Sequence, residues 1–353
     1  MSAPLASRAS QFVRTGSPRF SALYIAGFLS GSFFVAHEAP PHLLLWIIYW
    51  ITFCVSVEWL NRLVDLPADR INQPLRTRWA LSFGTRGLRR ATFVAWFSVM
   101  LLSTAMVALS PGDAPSKTAL AVVLVVNITI GIGYSFGRVT KRYPGATIAL
   151  LTATLVMPWV TGIAAGNGTL SSEQWRVAVT VAVLLATVSV IIAGAKDLTD
   201  RRGDTLIGYR SVWLTAVENG AGRTVLITAL VQFTVGAITV TQVGLSVFLA
   251  CSIIAAGEVS VILGVRRART LADAIAVREH VYLVTLASVV SIGIAVNQSL
   301  QFALVAGACV IAWILMSLLA HWNKHLSRKS ASRMSALLWP RHSLTNDSVD
   351  SLA

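Results

Sequence analysis

The chain has 353 residues, of which 55% are hydrophobic and only 12% charged, with a mean hydropathy of +0.68. A soluble domain carries about 25% charged residues, so this composition excludes an ordinary water-soluble fold. The formal net charge of +14 would suit a nucleic-acid binder, but its placement along the chain argues against one.

Apolar runs close to 20 residues recur from end to end, at about 20–36, 43–60, 91–109, 118–136, 146–165, 177–195, 224–242, 245–264, 280–297 and 299–320. Each is long enough to cross a bilayer as a helix, and a lipid-buried backbone has to satisfy its own hydrogen bonds. The expected fold is therefore an all-α polytopic membrane protein. Arg8, Arg14 and Arg19 precede the first run, as in a signal peptide, but the nine runs behind it favour a retained helix. If the N-terminus is cytoplasmic, 27 of the 29 Lys and Arg fall on the cytoplasmic side, leaving only Lys117 and Arg176 outside. That bias predicts a multi-pass protein of the cell membrane with both termini and the polar loops in the cytoplasm. The basic excess is then a topology signal and an attraction to the lipid bilayer. No nucleic acid and no protein partner is implied.

The organisation expected is a cytoplasmic segment 1–18, one transmembrane domain over 19–321, and a disordered tail over 322–353 that is rich in Ser and Arg. Cys54, Cys251 and Cys309 all lie in apolar runs and read as core filler, not as disulfides or metal ligands. Arg outnumbers Lys, and Ala and Val abound, which fits a GC-rich bacterial genome.

The second run passes into "EWLNRLVDLPADRINQPLRT". Asn61, Asp65 and Asp69 recur every four residues, and on a helix that period keeps them on one face, roughly 6 Å apart per step. Carboxylates so placed repel unless a cation lies between them, and oxygen donors at this spacing suit Mg²⁺, commonly held by one or two carboxylates plus substrate phosphates. After the sixth run, "AGAKDLTDRRGDTLIGYRS" repeats the device with Asp197 and Asp200, then Asp204 behind Gly203. Both clusters follow even-numbered spans, so both belong to the same membrane face and could close over one site. Solvated loop charges would explain either cluster alone, and a matched pair much less well. For a phosphate, the flanking bases offer Arg70, Arg76, Lys196, Arg201 and Arg210. "GYSFGRVTKRYPGA" adds Tyr134, Arg138, Lys141 and Arg142. Positive-inside topology alone predicts basic loops, so Arg76, Lys196, Arg138 and Lys141 stand out only by their nearness to the acids or to Tyr134.

"NRLVDLPADRINQPLRT" resembles the first Asp-rich motif of the UbiA superfamily of intramembrane prenyltransferases, NxxxDxxxD with a trailing Asn-x-Pro and Arg. "KDLTDRRGDTLIGYRS" resembles the second, KDxxDxxGDxxxG, and "YSFGRVTKRYPG" the Tyr- and Lys-bearing loop between helices four and five. The resemblance covers about residues 18–265. It implies a UbiA-like bundle of nine to ten transmembrane helices around a central cavity open to the cytoplasmic side and to lipid. It also implies Mg²⁺-dependent transfer of a prenyl group from an allylic prenyl diphosphate to a small, aromatic acceptor, within isoprenoid biosynthesis. Asp65, Asp69, Asp197, Asp200 and Asp204 would then be the metal ligands. Asn61, Arg76, Tyr134, Arg138, Lys141, Lys196 and Arg201 would hold the diphosphate. A terpene cyclase of the same superfamily would carry the same motifs and use no acceptor. A transporter would place its acids in mid-membrane or in inverted repeats, and most acids here do not lie so. Arg138 stands where many members have Lys, and Ser211-Val212 replaces the common Thr-Leu-Pro.

Three further polar or aromatic groups were open to two readings each. Asn127 suits an acceptor pocket or an interhelical hydrogen bond. Glu258 suits a functional group or a structural pair. Met157, Trp159 and Phe136 read as packing residues first and pocket walls second.

Overall fold

A computed structural model describes residues 14–72, 74–82, 84–136, 139–166, 168–209, 245–267 and 271–318. Within them the chain is helical: α1 (Phe20–Ala36), α2 (Leu43–Asn72), α3 (Pro74–Leu81), α4 (Gly84–Leu109), α5 (Ala114–Ser135), α6 (Val139–Arg142), α7 (Pro144–Ala165) and α8 (Ser172–Ala195). A 3-10 turn (Lys196–Asp200) follows, then α9 (Arg201–Ile207), α10 (Leu245–Arg267), α11 (Leu271–Asn297) and α12 (Leu300–Met316). Every predicted span but one overlaps one of these helices. The exception, 224–242, lies outside the described residues, as do the segment 1–13 and the tail beyond 318. The last two runs, 280–297 and 299–320, are two separate helices, α11 and α12.

Six of the described helices are long and apolar enough to cross a membrane: α2, α4, α5, α7, α10 and α11. Two shorter apolar helices, α1 and α12, have 17 residues each. Large apolar side chains point outward, with Phe93 71%, Leu101 56%, Val125 60% and Leu304 67% exposed. In water such a surface would be costly. Against hydrocarbon it costs nothing, which is the physical content of reading these helices as membrane spans.

Helix α1 runs through the middle of the bundle, packed on α7, α11, α12 and α2, while α2, α4 and α5 form one flank and α8, α11 and α10 the other. The α1–α7 crossing is backbone against backbone. A Cβ on Gly162 would stand 1.9 Å from the Phe28 carbonyl oxygen, and one on Gly31 2.2 Å from that of Trp159. Lipid tails are as apolar as leucine, so helices in a membrane associate through close packing, which small residues permit. Around this crossing, Phe28, Trp46, Tyr49, Trp50 and Phe53 pack ring on ring with centroids 4.6–6.0 Å apart. Trp159 is buried and its Nε1 donates to the Ala178 carbonyl at 3.3 Å, which makes it a packing residue. Phe136 is 69% exposed. It follows the end of α5 and turns away from the core, so the packing role expected of it does not hold.

The ends of the helices sort cleanly. The start of α1, the ends of α2, α5 and α12, the 3-10 turn and the first third of α11 gather at one end of the bundle. Contacts from Arg19 to Glu279 and Ser317, from Ser135 to Asn61, and from Arg278 to Thr199 tie them together. At the other end, Asp113 caps α5 by accepting from the Ser116 amide at 3.0 Å. The Ser116 hydrogen bonds hold this exposed carboxyl below the ordinary aspartate range.

Candidate active site

Helix α2 has 30 residues and so is about 45 Å long. It outruns the roughly 30 Å hydrocarbon core, and the first acid cluster stands on its last turns as part of one unbroken helix. Asn61 is half-buried and its Oδ1 accepts from Ser135 Oγ at 3.3 Å. Asp65 and Asp69 are both buried, 5% and 4% exposed, and Pro67 sits between them inside the helix.

One partner in this cluster escaped the sequence reading. Arg62, 6% exposed, donates from Nη1 to Asp69 Oδ2 at 2.6 Å and from Nη2 to Glu58 Oε2 at 3.2 Å. The signal was present, because residues 58, 62 and 69 stand one and two turns apart on one helix face. The cation that the aspartate spacing calls for is supplied in part by this guanidinium, which lies beside the carboxylates.

The second cluster begins where α8 ends. The 3-10 turn over Lys196–Asp200 tightens the chain to three residues per turn, so positions 197 and 200 fall in line. Asp200 is half-buried and accepts from Thr199 Oγ1 at 3.2 Å. Asp204, in the first turn of α9, is wholly buried, and its carbonyl oxygen accepts from the Tyr209 amide at 2.7 Å.

These two clusters meet. Helix α9 packs against α2, and the Gly203 amide donates to Asn72 Oδ1 at 2.5 Å. A Cβ at position 203 would lie 2.5 Å from that same oxygen, so only glycine allows the approach. A third segment closes on the same place through Ser135, next to Tyr134. Tyr134 is half-buried and its carbonyl oxygen accepts from Thr140 Oγ1 at 2.9 Å, while the Thr140 carbonyl accepts from Thr147 Oγ1 at 2.7 Å. These two bonds fold the α5–α6–α7 link back on itself.

The bases expected to hold a phosphate are less completely placed. Position 76 lies on α3, 141 on α6, 196 and 197 on the 3-10 turn and 201 at the start of α9. The side chains of Arg76, Lys141, Lys196, Asp197 and Arg201, and all of Arg138 and Arg210, lie outside the described residues. A further base at the second cluster comes from a helix far along the chain. Arg278, near the start of α11, donates to Thr199 Oγ1 at 3.4 Å and to Glu279 Oε1 at 3.4 Å. Glu279 is gripped in turn by both terminal nitrogens of Arg19, at 2.5 and 3.0 Å. The Arg19 guanidinium also lies 5.3–5.4 Å from the ring centres of Phe20, Tyr282 and Trp313.

Of the remaining candidates, Asn127 takes the second of its two readings. Asn127 Nδ2 donates to Thr161 Oγ1 at 2.8 Å, an interhelical bond from α5 to α7. Glu258 is buried on α10, 1% exposed. The three cysteines are free, Cys54 and Cys309 buried and Cys251 half-buried.

The donors at the two clusters are carboxylate and amide oxygens, a set that fits a hard divalent cation. Among the described residues, no three His, Cys, Asp or Glu side chains converge into a metal cage. An all-protein cage is not what Mg²⁺ requires, since it binds through one or two carboxylates and fills its other positions with water and phosphate. The residues present therefore fit such an ion.

The model of the UbiA prenyltransferase family matches residues 24–277. Among solved structures, one of digeranylgeranylglyceryl phosphate synthase aligns with a TM-score of 0.57 at 12% identity, over 83% of this chain and 100% of that one. A UbiA homologue from Archaeoglobus fulgidus, bound to GPP and Mg²⁺, aligns at 0.55 and 14% identity, over 82% of this chain and 100% of that one. Its complex with DMAPP and Mg²⁺ aligns at 0.54 and 13% identity, over 82% and 100%. At these identities the structures show a common fold. No curated protein sequence matches the chain.

Proposed function

The chain belongs to the UbiA prenyltransferase family, and from that premise we propose that it moves a prenyl group from an allylic prenyl diphosphate to a small, aromatic acceptor at the site where α2 and α9 meet. The observation that carries this reading is the contact between the two Asp-rich segments through Asn72 and Gly203. It brings buried carboxylates from both segments to one end of the bundle. The GPP and DMAPP complexes of the archaeal homologue, each with Mg²⁺, support the same substrate class and the same ion here.

Asp65 and Asp69 on one side, and Asp197, Asp200 and Asp204 on the other, would hold Mg²⁺ on the diphosphate. Bound there, the ion supplies positive charge opposite the leaving group. Asn61, Tyr134 and the bases Arg76, Arg138, Lys141, Lys196 and Arg201 would orient the diphosphate oxygens and share their negative charge. In the reaction the allylic C–O bond breaks and its electron pair leaves with the diphosphate. The acceptor carbon or oxygen bonds to the prenyl carbon and gives up a proton. The aromatic and aliphatic interior keeps water from the electron-poor prenyl carbon, and the prenyl tail enters from the lipid among nine to ten helices. The acid-bearing end faces the cytoplasm, as the distribution of Lys and Arg requires.

The test is product analysis. Membranes carrying the protein are incubated with C10, C15 and C20 prenyl diphosphates, with and without aromatic acceptors, and with Mg²⁺ or EDTA. A prenylated acceptor formed only with Mg²⁺ is the expected result. Cyclised hydrocarbon formed without acceptor would assign a terpene cyclase instead, and turnover in EDTA would remove the metal from the mechanism.

A further inference from the structure

Between Asp69 and Asp113 the chain carries six arginines and no acid. Five of them, Arg70, Arg78, Arg86, Arg89 and Arg90, are exposed, and none forms an ion pair with a described acid. Helix α4 fixes the depth at which they lie. Its outward stripe steps from Arg86 and Arg90 to Phe93 and Phe97 at intervals of three and four residues, with Phe93 71% and Phe97 49% exposed. Arg90 and Phe93 stand about 4.5 Å apart along the axis. Charge gives way to large exposed apolar groups within one turn, as it does where headgroups meet hydrocarbon. Helix α3 is held near that level, because its Ala80 is buried in one apolar cluster with Leu88 of α4.

At this boundary the end of α2 and helix α3 form an open cleft of about 470 Å³, lined by Arg70, Thr77, Arg78, Leu81 and Ser82. That volume lies within the range of about 300–1,000 Å³ usual for ligand sites. Two guanidinium forks suit phosphate oxygens, and Leu81 offers an apolar wall beside them. Thr77 is 4% exposed and its Oγ1 has no hydrogen-bond partner, an uncommon state for a buried hydroxyl. A phosphate oxygen is an acceptor of the kind it lacks. No acid of either cluster lines the cleft, so it is separate from the place where α2 and α9 meet.

We propose that this cleft binds the phosphate headgroup of an anionic membrane phospholipid, seated between Arg70 and Arg78 with its acyl chains in the adjoining leaflet. Basic pockets at a membrane surface recognise such headgroups by charge. A soluble phosphate would gain the same charge contacts but nothing from the hydrocarbon beside them. The site depends on the chain's placement in a membrane alone, and on neither the metal nor the prenyl diphosphate.

The test uses the full-length protein purified in detergent, with phosphatidylglycerol, phosphatidylcholine and inorganic phosphate as probes. Native mass spectrometry reports retained lipid, and thermal unfolding reports stabilisation by each probe. Wild type should retain phosphatidylglycerol in preference to phosphatidylcholine and melt higher with it, while inorganic phosphate at the same concentration gives no shift. R70Q/R78Q should melt like wild type in phosphatidylcholine and bind phosphatidylglycerol about 10-fold more weakly, since each basic group near a membrane surface adds to anionic-lipid affinity. R86Q/R89Q removes the same two charges outside the cleft and should keep most of the affinity. Should R70Q/R78Q fail to fold, R78Q alone carries the test, with a smaller loss expected and an unchanged affinity counting against the site. Equal losses in R70Q/R78Q and R86Q/R89Q would leave only diffuse attraction and overturn the site. Equal stabilisation by inorganic phosphate would make the ligand a soluble anion and overturn the lipid. A wild-type protein that does not prefer phosphatidylglycerol refutes both.

Discussion

Asn72, the last residue of α2, accepts a 2.5 Å hydrogen bond from the backbone amide of Gly203, in the first turns of α9. One side-chain oxygen thereby sets the distance between two Asp-rich segments that lie far apart in sequence.

Gly203→Ala should therefore damage the site more than Asn72→Ala. The first drives a methyl group into Asn72 Oδ1, while the second removes a hydrogen bond with a net worth of about 1 kcal/mol. Activity is expected to fall well over 10-fold in Gly203→Ala, and the double variant Asn72→Ala/Gly203→Ala should recover part of it. A double variant no better than Gly203→Ala would mean that the glycine serves something other than this approach.

Asp200→Asn separates catalysis from folding at the second cluster. The residue is half-buried at the end of a 3-10 turn, and a volume-preserving change there should shift stability by less than about 0.5 kcal/mol. Loss of a group that stabilises developing charge costs about 10²–10³ in rate. A normally melting protein with near-background turnover is expected, and Thr205→Ala, exposed on α9, should be a mild control.

Orientation is open to chemical labelling in a background without native cysteines. Thr169 and Thr205 are both exposed and flank α8. A cysteine at 169 should react with an impermeant thiol reagent in intact cells, and one at 205 only after the cells are opened. The reverse pattern would invert the topology.

Gly162→Ala should lower the apparent unfolding temperature in detergent, since its methyl group has no room beside the Phe28 carbonyl oxygen. Overpacking of this kind costs about 1–3 kcal/mol. Gly307→Ala, where a Cβ meets nothing within 4 Å, should be neutral or slightly stabilising, as expected for alanine in a helix.

Arg278→Met tests the reach of α11 into the second cluster. Turnover is expected to drop about 10-fold, equivalent to 1.4 kcal/mol, with expression retained, and Arg278→Lys should restore part of it. Equal losses in the Met and Lys variants would point to the bond with Glu279 rather than to a charge near Thr199.

Apolar run length was enough to locate the long helices among the described residues, because a membrane span has to be apolar over its whole length and the acids could only follow it. The two Asp-rich segments were legible for the same reason, as charge where charge is expensive. Arg278 was not, because its partner Thr199 is 79 residues away and no local pattern reports a contact of that range. Gly203 could be read as part of a motif, but its cause is the Asn72 oxygen, visible only once α9 is packed on α2. Phe136 was misjudged since an aromatic at the end of a span looks the same in sequence whether it faces core or surroundings.

The partners of the opening contact are 131 residues apart. At about 5–20 residues per second, a ribosome needs roughly 7–25 s to deliver the second after the first. Arg278 then follows 79 residues behind Thr199. During that interval the acid-bearing end of α2 waits at the membrane surface with its opposite half unmade. Arg62 reaches Glu58 and Asp69 within its own helix, so the nascent chain carries its neutralising charge from the moment α2 emerges.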